Sequence, residues 1–272
     1  MRAADYLRDR SLAGTRWSIA VHEVDGGRPL LEVGSRRCLQ TASVAKVFLL
    51  LEVAAQLESG ALDAGELLSA DAVAAVADSG LWQHLAQRSL PIADAALLVG
   101  AVSDNLATNV LLHRVGLDAV RARASELAPH GSTLHDVVRD LRTPLDPPAL
   151  STGTAADWVR VAALLQRSMR DGDAVARRVV DWLEHSLDHS MVLSPLGLDP
   201  LSPGPSGARV TFNKTGADGG VRADVGVMRG PDGAVAYAAI CNWDAGIGSD
   251  PVRSVIRVMR EVGSAIAEHV GL

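Results

Sequence analysis

Near the amino terminus, apolar and polar residues alternate in a pattern typical of β-strands. The segments 16–24 (RWSIAVHEV) and 28–33 (RPLLEV) both alternate and are rich in residues that favour strands. Between them lies 25–27 (DGG), which is the chemistry of a tight hairpin turn. We therefore predict two antiparallel strands, followed by an apolar helix over about 43–59 that ends at Gly60.

The middle of the chain has the spacing of apolar residues expected for helices, with Gly and Pro between the segments. Proline-rich loops are predicted at 142–153 and 194–208. The predicted helices cover 93–102, 105–115, 118–127, 154–170 and 173–187.

Alternation returns toward the carboxyl terminus and predicts three further strands, at 209–214, 221–229 and 234–243. The tripeptide 231–233 (PDG) is expected to join the last two strands as a hairpin. An amphipathic helix is predicted over about 251–269.

These elements predict an α+β fold in which strands from both ends of the chain form one five-stranded antiparallel sheet. We expect the first and last helices to cover this sheet. Residues 1–60 and 206–272 would form an α/β lobe and residues 61–205 an all-helical lobe, within a single structural domain. A functional site is expected in the cleft between the two lobes.

The composition is that of a globular protein, and the net charge argues against two classes of binding partner. The 272 residues are 48% hydrophobic and 21% charged, which is enough to bury a large core. A net charge of −6 argues against binding to nucleic acid or to an anionic membrane surface. No apolar run approaches the roughly 20 residues of a membrane span.

Neither the cysteines nor the amino terminus points to export. Cys38 and Cys241 are too few for a disulfide framework, and we expect two buried free thiols rather than a bridge. Residues 1–10 lack the apolar core of a signal peptide, which predicts a cytoplasmic protein. If a leader has been removed, the location would instead be secreted or periplasmic.

Lysine is rare in this chain, since only Lys46 and Lys214 stand among 26 basic residues. Arginine does not usefully lose its proton, whereas a buried lysine can be tuned to act as a base. Each lysine also lies inside a short polar motif, so we examine those motifs for chemistry.

The first motif is 43–46 (SVAK), at the start of the first predicted helix. Its spacing puts the Ser43 hydroxyl and the Lys46 amine on one helical face. A desolvated amine could take the serine proton, and the N–H groups of the helix start could bind an oxyanion. Alone, the motif fits better an N-capping serine beside an unrelated surface lysine.

The second motif is 103–105 (SDN), between two predicted helices. Ser103 could relay protons, Asn105 could donate a hydrogen bond to a substrate amide, and Asp104 would hold the turn. Alone, the motif also fits a plain helix–helix turn with a capping residue.

The third motif is 214–216 (KTG), at the end of a predicted strand. Lys214 could attract a substrate carboxylate, and Gly216 could let the substrate approach the backbone closely. The N–H of Ala217 would then complete an oxyanion hole. Alone, the motif fits a strand-terminating turn with an exposed lysine.

Together, the three motifs occur in an order and on elements that resemble the class A β-lactamases and the wider penicillin-binding, serine-acylating superfamily. The resemblance covers essentially the whole chain and implies the β-lactamase/transpeptidase fold. It implies catalytic roles for Ser43 as the acylated nucleophile, Lys46 as its base and Ser103 as a proton relay. It implies substrate contacts at Asn105, Lys214, Thr215, Gly216 and Ala217.

Two further positions resemble substrate contacts of the family. Arg222, on the strand after the third motif, matches an arginine that many members use to hold the substrate carboxylate. Trp82 stands where the family often has an aromatic wall of the cleft, although a Trp buried under a loop fits equally well.

The chain departs from the family at the residue that activates the deacylating water. Class A β-lactamases carry a glutamate in a long loop after the second motif, but here no glutamate occurs between Glu126 and Glu184. The corresponding stretch, 141–152, is also shortened.

Three interpretations of this departure remain open. In the first, Asp146, or else Asp136 or Asp140, replaces the glutamate, although Asp146 also fits a rigid Asp-Pro-Pro turn. In the second, Lys46 or Ser103 activates water without a carboxylate. In the third, no water is activated and the acyl group is transferred to an amine or alcohol or stays bound.

We therefore expect a serine hydrolase of the class A β-lactamase type, acylated at Ser43 by a β-lactam or a related amide or ester. A penicillin-binding-protein-like esterase, amidase or acyltransferase of a biosynthetic pathway is the enzymatic alternative. A protein that traps the acyl group is the non-enzymatic one. The expected partner is a small-molecule substrate, with no cofactor, metal, nucleic acid or membrane involved, and the oligomeric state is not indicated.

Overall fold

Strands from both ends of the chain and helices from its middle make up the protein. The computed structural model describes residues 13–77, 79–202, 210–244 and 251–272. The strands in these ranges are β1 Arg16–Glu23, β2 Pro29–Val33, β3 Leu39–Gln40, β4 Leu67–Ser69, β5 Ser89–Pro91, β6 Thr133–Leu134, β7 Ser151–Gly153, β8 Thr211–Asp218, β9 Val221–Gly230 and β10 Gly233–Asn242. The α-helices are α1 Lys46–Glu58, α2 Ile92–Val102, α3 Asn105–Val115, α4 Leu117–Leu127, α5 Ala155–Arg170, α6 Ala174–Glu184 and α7 Val252–Val270.

The main sheet has five antiparallel strands in the order β2-β1-β10-β9-β8. The α+β fold and the single sheet shared by the two ends of the chain are therefore confirmed. Both predicted hairpins form, with Gly26 and Gly27 at positive φ in the first turn and Gly233 at φ 132° in the second. Glycine adopts such angles without the steric penalty of a Cβ.

Each face of the main sheet is covered by one long amphipathic helix. On one face, Val255, Val258 and Val262 of α7 join a buried cluster with Ile19 and Tyr237 of the sheet. On the other face α5 packs against β1, β9 and β10. The expectation that the first helix covers the sheet is wrong, because α1 packs among α2, α3, α4 and α6 instead.

The middle of the chain is predominantly helical but also contains four short strands. Strands β4 and β5 form a two-stranded sheet, and β3, β7 and β6 form a three-stranded one. With two or three residues each, these strands are too short to produce a readable alternation. The division into residues 1–60 with 206–272 and residues 61–205 stays a prediction.

Several predicted boundaries shift where a cap or a pairing partner decides them. Helix α6 ends at Glu184, three residues before the predicted end. Strand β8 continues to Asp218 because it pairs along its length with β9, so the third motif lies inside a strand rather than at its end. The predicted loop 194–208 falls partly outside the described residues.

Both cysteines are free thiols. Cys241 is buried in β10, as expected, whereas the expectation of burial is wrong for Cys38, which is exposed. Within the described ranges, no helix is long and apolar enough to cross a membrane. The same residues contain no group of three or more His, Cys, Asp or Glu side chains that could hold a metal ion.

Candidate active site

Ser43 lies in a short 3-10 turn, Ala42–Ala45, that leads directly into α1. Its side chain caps neither the turn nor α1, which removes the interpretation of Ser43 as an N-capping serine. The turn is held from outside by Ser151, whose hydroxyl donates to the carbonyl of Ala42 at 2.6 Å. Ser43 is half-buried, and its hydroxyl makes no hydrogen bond to the part of the chain that the structure describes.

Lys46 is fully buried one turn further along the helix. Its Nζ donates to the Ser103 carbonyl at 2.7 Å, to Asn105 Oδ1 at 2.8 Å and to Ser103 Oγ at 3.3 Å. Burial, reinforced by the positive charge of Lys214 and opposed by Asp104, holds the pKa of Lys46 well below its ordinary value. The lowered pKa shifts the equilibrium toward the neutral amine. This form can keep only two of the three donations, and its lone pair can accept a proton.

Ser103 joins the two lysines of the chain. Its hydroxyl oxygen accepts from Lys214 Nζ at 2.9 Å as well as from Lys46 Nζ. Lys214 is also buried, and this burial lowers its pKa to about 8 although Asp188 and Asp224 act in the opposite direction. Because two amines donate to the Ser103 oxygen, its own hydrogen is left to point elsewhere.

Asp104 holds the second motif in place, as the sequence predicts. Its Oδ1 accepts from the N–H of Ala107 at 2.8 Å, which caps α3. Its Oδ2 accepts from the N–H groups of Leu81 and Trp82 at 2.7 and 2.8 Å. This buried carboxylate therefore ties the loop before β5 to the turn that carries Ser103.

Asn105 has one amide hydrogen left for a ligand. Its Oδ1 accepts from Lys46, and its Nδ2 donates to the carbonyl of Ala77 at 3.0 Å. A side-chain amide has two N–H donors, so the second is available to a substrate.

Trp82 is not a wall of the cleft. Its side chain is 0% exposed and donates through Nε1 to the carbonyl of Gln87 at 3.0 Å. The prediction of an aromatic wall is therefore wrong, and the alternative of a Trp buried under a loop is confirmed.

Strand β8 lies at the open edge of the main sheet and supports the turn that carries Ser43. A Cβ on Gly216 would fall 2.2 Å from the carbonyl oxygen of Thr41 and 3.1 Å from the nitrogen of Ser43. Only glycine therefore allows the strand and the turn to lie this close. The close approach predicted at Gly216 exists, but with the turn of Ser43.

The register of β8 decides where the N–H of Ala217 points. The N–H of Arg229 donates to the carbonyl of Val210 at 2.7 Å, so these two residues form a hydrogen-bonded pair. Such pairs recur at every second residue of an antiparallel ladder, which makes Gly216 a member of another one. Gly216 thus pairs with β9, whereas Thr215 and Ala217 direct their backbone groups to the open edge. The N–H groups of Ala217 and Ser43 then lie on two neighbouring backbones, as an oxyanion hole requires.

Among the described residues, Arg222 makes no hydrogen bond to the three motifs. It lies opposite Ala217, on the face of the sheet that Lys214 does not share. Its Nη1 donates to the carbonyls of Asp218 and Val221 at 3.1 and 2.7 Å, and the guanidinium lies 5.8 Å from the ring centroid of Trp243.

Asp146 is held within its own loop. One oxygen accepts from the N–H and the hydroxyl of Thr143, both at 2.8 Å, and the other lies 3.2 Å from Arg139 Nε. Hydrogen bonds from the Thr143 backbone and side chain hold the pKa of Asp146 below its ordinary value, which weakens it as a base.

The other two aspartates of this loop are also engaged. Asp136 accepts from Arg139 and Arg142, both at 2.7 Å, and Asp140 accepts from the N–H of Ala77 at 2.8 Å. All three carboxylates therefore contribute to the structure of the loop.

Two acidic residues near the third motif escaped the sequence reasoning. Asp224 is fully buried opposite Thr215, and Asp188 lies in the loop after α6 beside Lys214. Asp224 is the one acidic residue of β9 and stands next to the buried run Val225–Met228, which was a signal in the sequence for a buried acid. Nothing in the local pattern marks Asp188, because tertiary packing alone brings it to β8.

Comparison with known proteins agrees with this geometry. A model described as the beta-lactamase enzyme family (Beta-lactamase2) matches residues 3–270. No curated protein sequence matches the chain significantly.

The fold is similar to that of several solved structures. A beta-lactamase from Sphaerobacter thermophilus superposes with a TM-score of 0.82 at 22% identity, covering 99% of this chain and 96% of that one. An ancestral class A beta-lactamase gives 0.74 at 22% identity, covering 98% of each. A PBP-A variant solved as an acyl-enzyme complex with penicillin G gives 0.72 at 20% identity, covering 94% and 92%.

Proposed function

Since the chain belongs to the beta-lactamase enzyme family, we propose that it is a serine hydrolase acylated at Ser43 by a β-lactam or a related amide or ester. The proposed partner is a small-molecule substrate. The reaction needs no cofactor in this scheme, because protein groups alone supply the nucleophile, the base and the oxyanion donors.

The observation that carries the proposal is the double contact of Ser103 with the two lysines. Lys46 and Lys214 are both buried, and both donate to the same hydroxyl. A plain helix–helix turn with an unrelated surface lysine does not require two amines to be desolvated around one serine. Such burial costs free energy, and perturbed ionisable groups gather where they are used.

In the proposed acylation, Ser43 Oγ attacks the substrate carbonyl carbon and its proton passes to the neutral amine of Lys46. The carbonyl oxygen becomes an oxyanion that the N–H groups of Ser43 and Ala217 stabilise. When the carbon–nitrogen bond breaks, Ser103 gives its proton to the leaving nitrogen and regains one from the protonated Lys46. The acyl group then remains on Ser43.

Substrate orientation is proposed to depend on groups around this centre. Asn105 would donate its second amide hydrogen to an amide carbonyl of the substrate, while Lys214 and Thr215 would contact a polar group at the other end. Arg222 is proposed to contact the same end of the substrate. For this contact its side chain must release the carbonyls of Asp218 and Val221.

A second candidate is acyl transfer to an amine or alcohol, or lasting retention of the acyl group. The loop observations favour it, since Asp136, Asp140 and Asp146 all hold structural contacts and none carries the longer glutamate side chain. The similar PBP-A variant was itself solved as an acyl-enzyme with penicillin G.

Intact-protein mass spectrometry after addition of a penicillin or a cephalosporin tests both candidates. We expect a mass increase equal to the added β-lactam in the native protein and none in Ser43→Ala. An increase that decays while product accumulates supports hydrolysis, and one that persists supports the second candidate.

The control is that Ser43→Ala keeps the circular dichroism spectrum and the melting temperature of the native protein. An adduct of equal yield on Ser43→Ala would overturn the assignment of the nucleophile. Absence of both adduct and hydrolysed product with β-lactams and with activated esters would overturn the proposed function.

A further inference from the structure

Asp188 stands at the end of the cleft where the third motif lies. It belongs to the loop after α6, and this loop is tied to the neighbourhood of Ser103 because the N–H of Leu187 donates to the carbonyl of Ala101 at 2.9 Å. On its other side, Asn213 Nδ2 donates to the carbonyl of Asp188 at 3.1 Å, which ties the loop to β8. The half-buried Asp188 thus bridges the two sides of the cleft.

The carboxylate of Asp188 is held in one orientation. Its Oδ1 accepts from the hydroxyl and the N–H of Ser190, at 2.6 and 3.1 Å. Partial burial acts to raise its pKa, but the hydroxyls of Ser190 and Thr215, the Ser190 N–H and the charge of Lys214 outweigh burial and keep the pKa below its ordinary value. Asp188 is therefore an anion at neutral pH, beside Lys214 and Thr215.

Two ionisable groups near this carboxylate are Lys214 and Asp224, which lie on opposite faces of the main sheet. Lys214 is the cation beside it, and its pKa responds to both Asp188 and Asp224. Asp224 lies opposite Thr215, with Asn213 and Tyr237 as hydrogen-bond donors. Lys214 therefore already lies in the electrostatic field of an anion before a substrate arrives.

On the premise of the proposed function, we propose that Asp188 determines the substrate charge accepted at Lys214 and Thr215. With Asp188 present, this end of the cleft takes a neutral hydrogen-bonding group, such as an ester or amide, in preference to a carboxylate. A second carboxylate would share one lysine with Asp188 and compete for the Thr215 hydroxyl. Like charges at such separations repel each other, and the effect grows as water is excluded.

Binding of a matched pair of probes to protein that cannot be acylated tests this inference. The probes are benzylpenicillin and its methyl ester, which differ in one charge, and the protein is Ser43→Ala. Titration calorimetry at about pH 6.5 keeps Lys214 protonated, since its pKa is about 8. We expect the ester to bind at least about tenfold more tightly than the acid.

The second variant is Ser43→Ala with Asp188→Asn, which keeps an acceptor for Ser190 and removes the charge. We expect the preference for the ester to fall by about tenfold or more, because the acid can then pair with Lys214 alone. The matched control is Ser43→Ala with Asp181→Asn, an exposed aspartate of α6, which should keep the parent preference.

The inference is overturned if the acid binds as tightly as the ester to Ser43→Ala, or if Asp188→Asn leaves the preference unchanged. It is also overturned if neither probe binds to any of these proteins. Failure of the proposed function has a different signature, which is the absence of both adduct and hydrolysed product with protein that retains Ser43.

Discussion

Ala42 and Ser103 share a backbone conformation that side chains rarely adopt. Within the described ranges they are the non-glycine residues at positive φ, with values of 46° and 56°. Ala42 directly precedes the proposed nucleophile, and Ser103 is the residue on which both lysines converge. Such conformations cost about 1–3 kcal/mol each and persist where the surrounding contacts impose them.

Burial makes the two lysines chemically different from the arginines of this chain. Both are at most 3% exposed, and burial is the main reason that their pKa values are lowered. Arginine at either position would stay protonated and could not act as a base. The rarity of lysine drew attention to these positions, but only the packing around them reveals why an amine is useful there.

Asp224 provides a test of how a buried acid affects stability. Burial is the main cause that raises its pKa to about 7, against hydrogen bonds from Asn213, the Val192 N–H and Tyr237. Between about pH 4 and pH 7 the folded protein therefore holds a proton that the unfolded chain has released. Because the folded state binds more protons in this window, its stability falls as the pH rises.

We expect Asp224→Asn to lose this contribution. From pH 4 to pH 8, the free energy of unfolding of the native protein should fall relative to the variant by up to about 4 kcal/mol. Urea denaturation at a series of pH values measures the difference, with the exposed Asp118→Asn as the control. A difference between native protein and Asp224→Asn that does not vary with pH would contradict the raised pKa.

At the scale of elements, the contact of β8 with the 3-10 turn of Ser43 builds the proposed oxyanion hole. The strand is at the sheet edge, so alternate N–H groups have no strand partner on that side. The turn approaches this edge at Gly216, where a Cβ would overlap the Thr41 carbonyl. Two elements far apart in sequence therefore determine the position of two N–H groups.

Gly216→Ala should separate these elements. The added Cβ would lie 2.2 Å from backbone oxygen, which neither element can relieve by moving a side chain. A displacement of about 1 Å at a reacting centre can lower a rate about 100-fold, so we expect acylation to slow by that factor or more. Stopped-flow measurement of adduct formation with a chromogenic β-lactam gives the rate.

Gly65→Ala is the matched control for that experiment. A Cβ there meets only Asp63 Oδ1 at 3.5 Å, an ordinary contact, and lies outside the proposed site. The control should acylate at the native rate. An equal rate in Gly216→Ala would show that the close approach is dispensable.

At the scale of the whole molecule, α5 connects the main sheet to the rest of the protein. It covers the sheet face that the first helix was expected to cover. Near its start, the buried Asp157 accepts from the N–H of His130 at 3.0 Å and from the N–H and hydroxyl of Ser132 at 3.1 and 2.7 Å. The segment so held continues into β6, whose sheet also contains the strand just before Ser43.

Asp157→Ala should destabilise the protein as a unit. It would leave the two buried donors of Ser132 without an acceptor, and each such loss costs about 1–3 kcal/mol; the N–H of the exposed His130 would lose its acceptor as well. We expect the free energy of unfolding to fall by about 3 kcal/mol or more. Urea denaturation followed by tryptophan fluorescence and by circular dichroism measures the loss of free energy of unfolding. Coincidence of the two unfolding curves would show that the protein unfolds as a unit.

Asp173→Ala provides the comparison for this loss. Asp173 caps α6 through one hydrogen bond of 2.7 Å to the N–H of Ala176, and it is exposed. Loss of such a cap costs about 1 kcal/mol. Equal losses in the two variants would contradict the role given to Asp157.

The sequence by itself determined the elements with long, regular patterns and the three polar motifs. Helices such as α3, hairpins such as β9–β10, and the capping role of Asp104 depend on residues close in sequence. Local propensity, turn chemistry and side-chain spacing therefore suffice to predict them. The order of the motifs was enough to indicate the family.

Only the tertiary structure decided which groups meet. It placed α5 on the sheet, buried Trp82, turned Arg222 to the face away from Lys214 and brought Asp188 beside β8. Each outcome depends on strand register or on packing between segments far apart in the chain. A shift of one residue in register would send every side chain of β8 to the opposite face, and no local pattern carries that information.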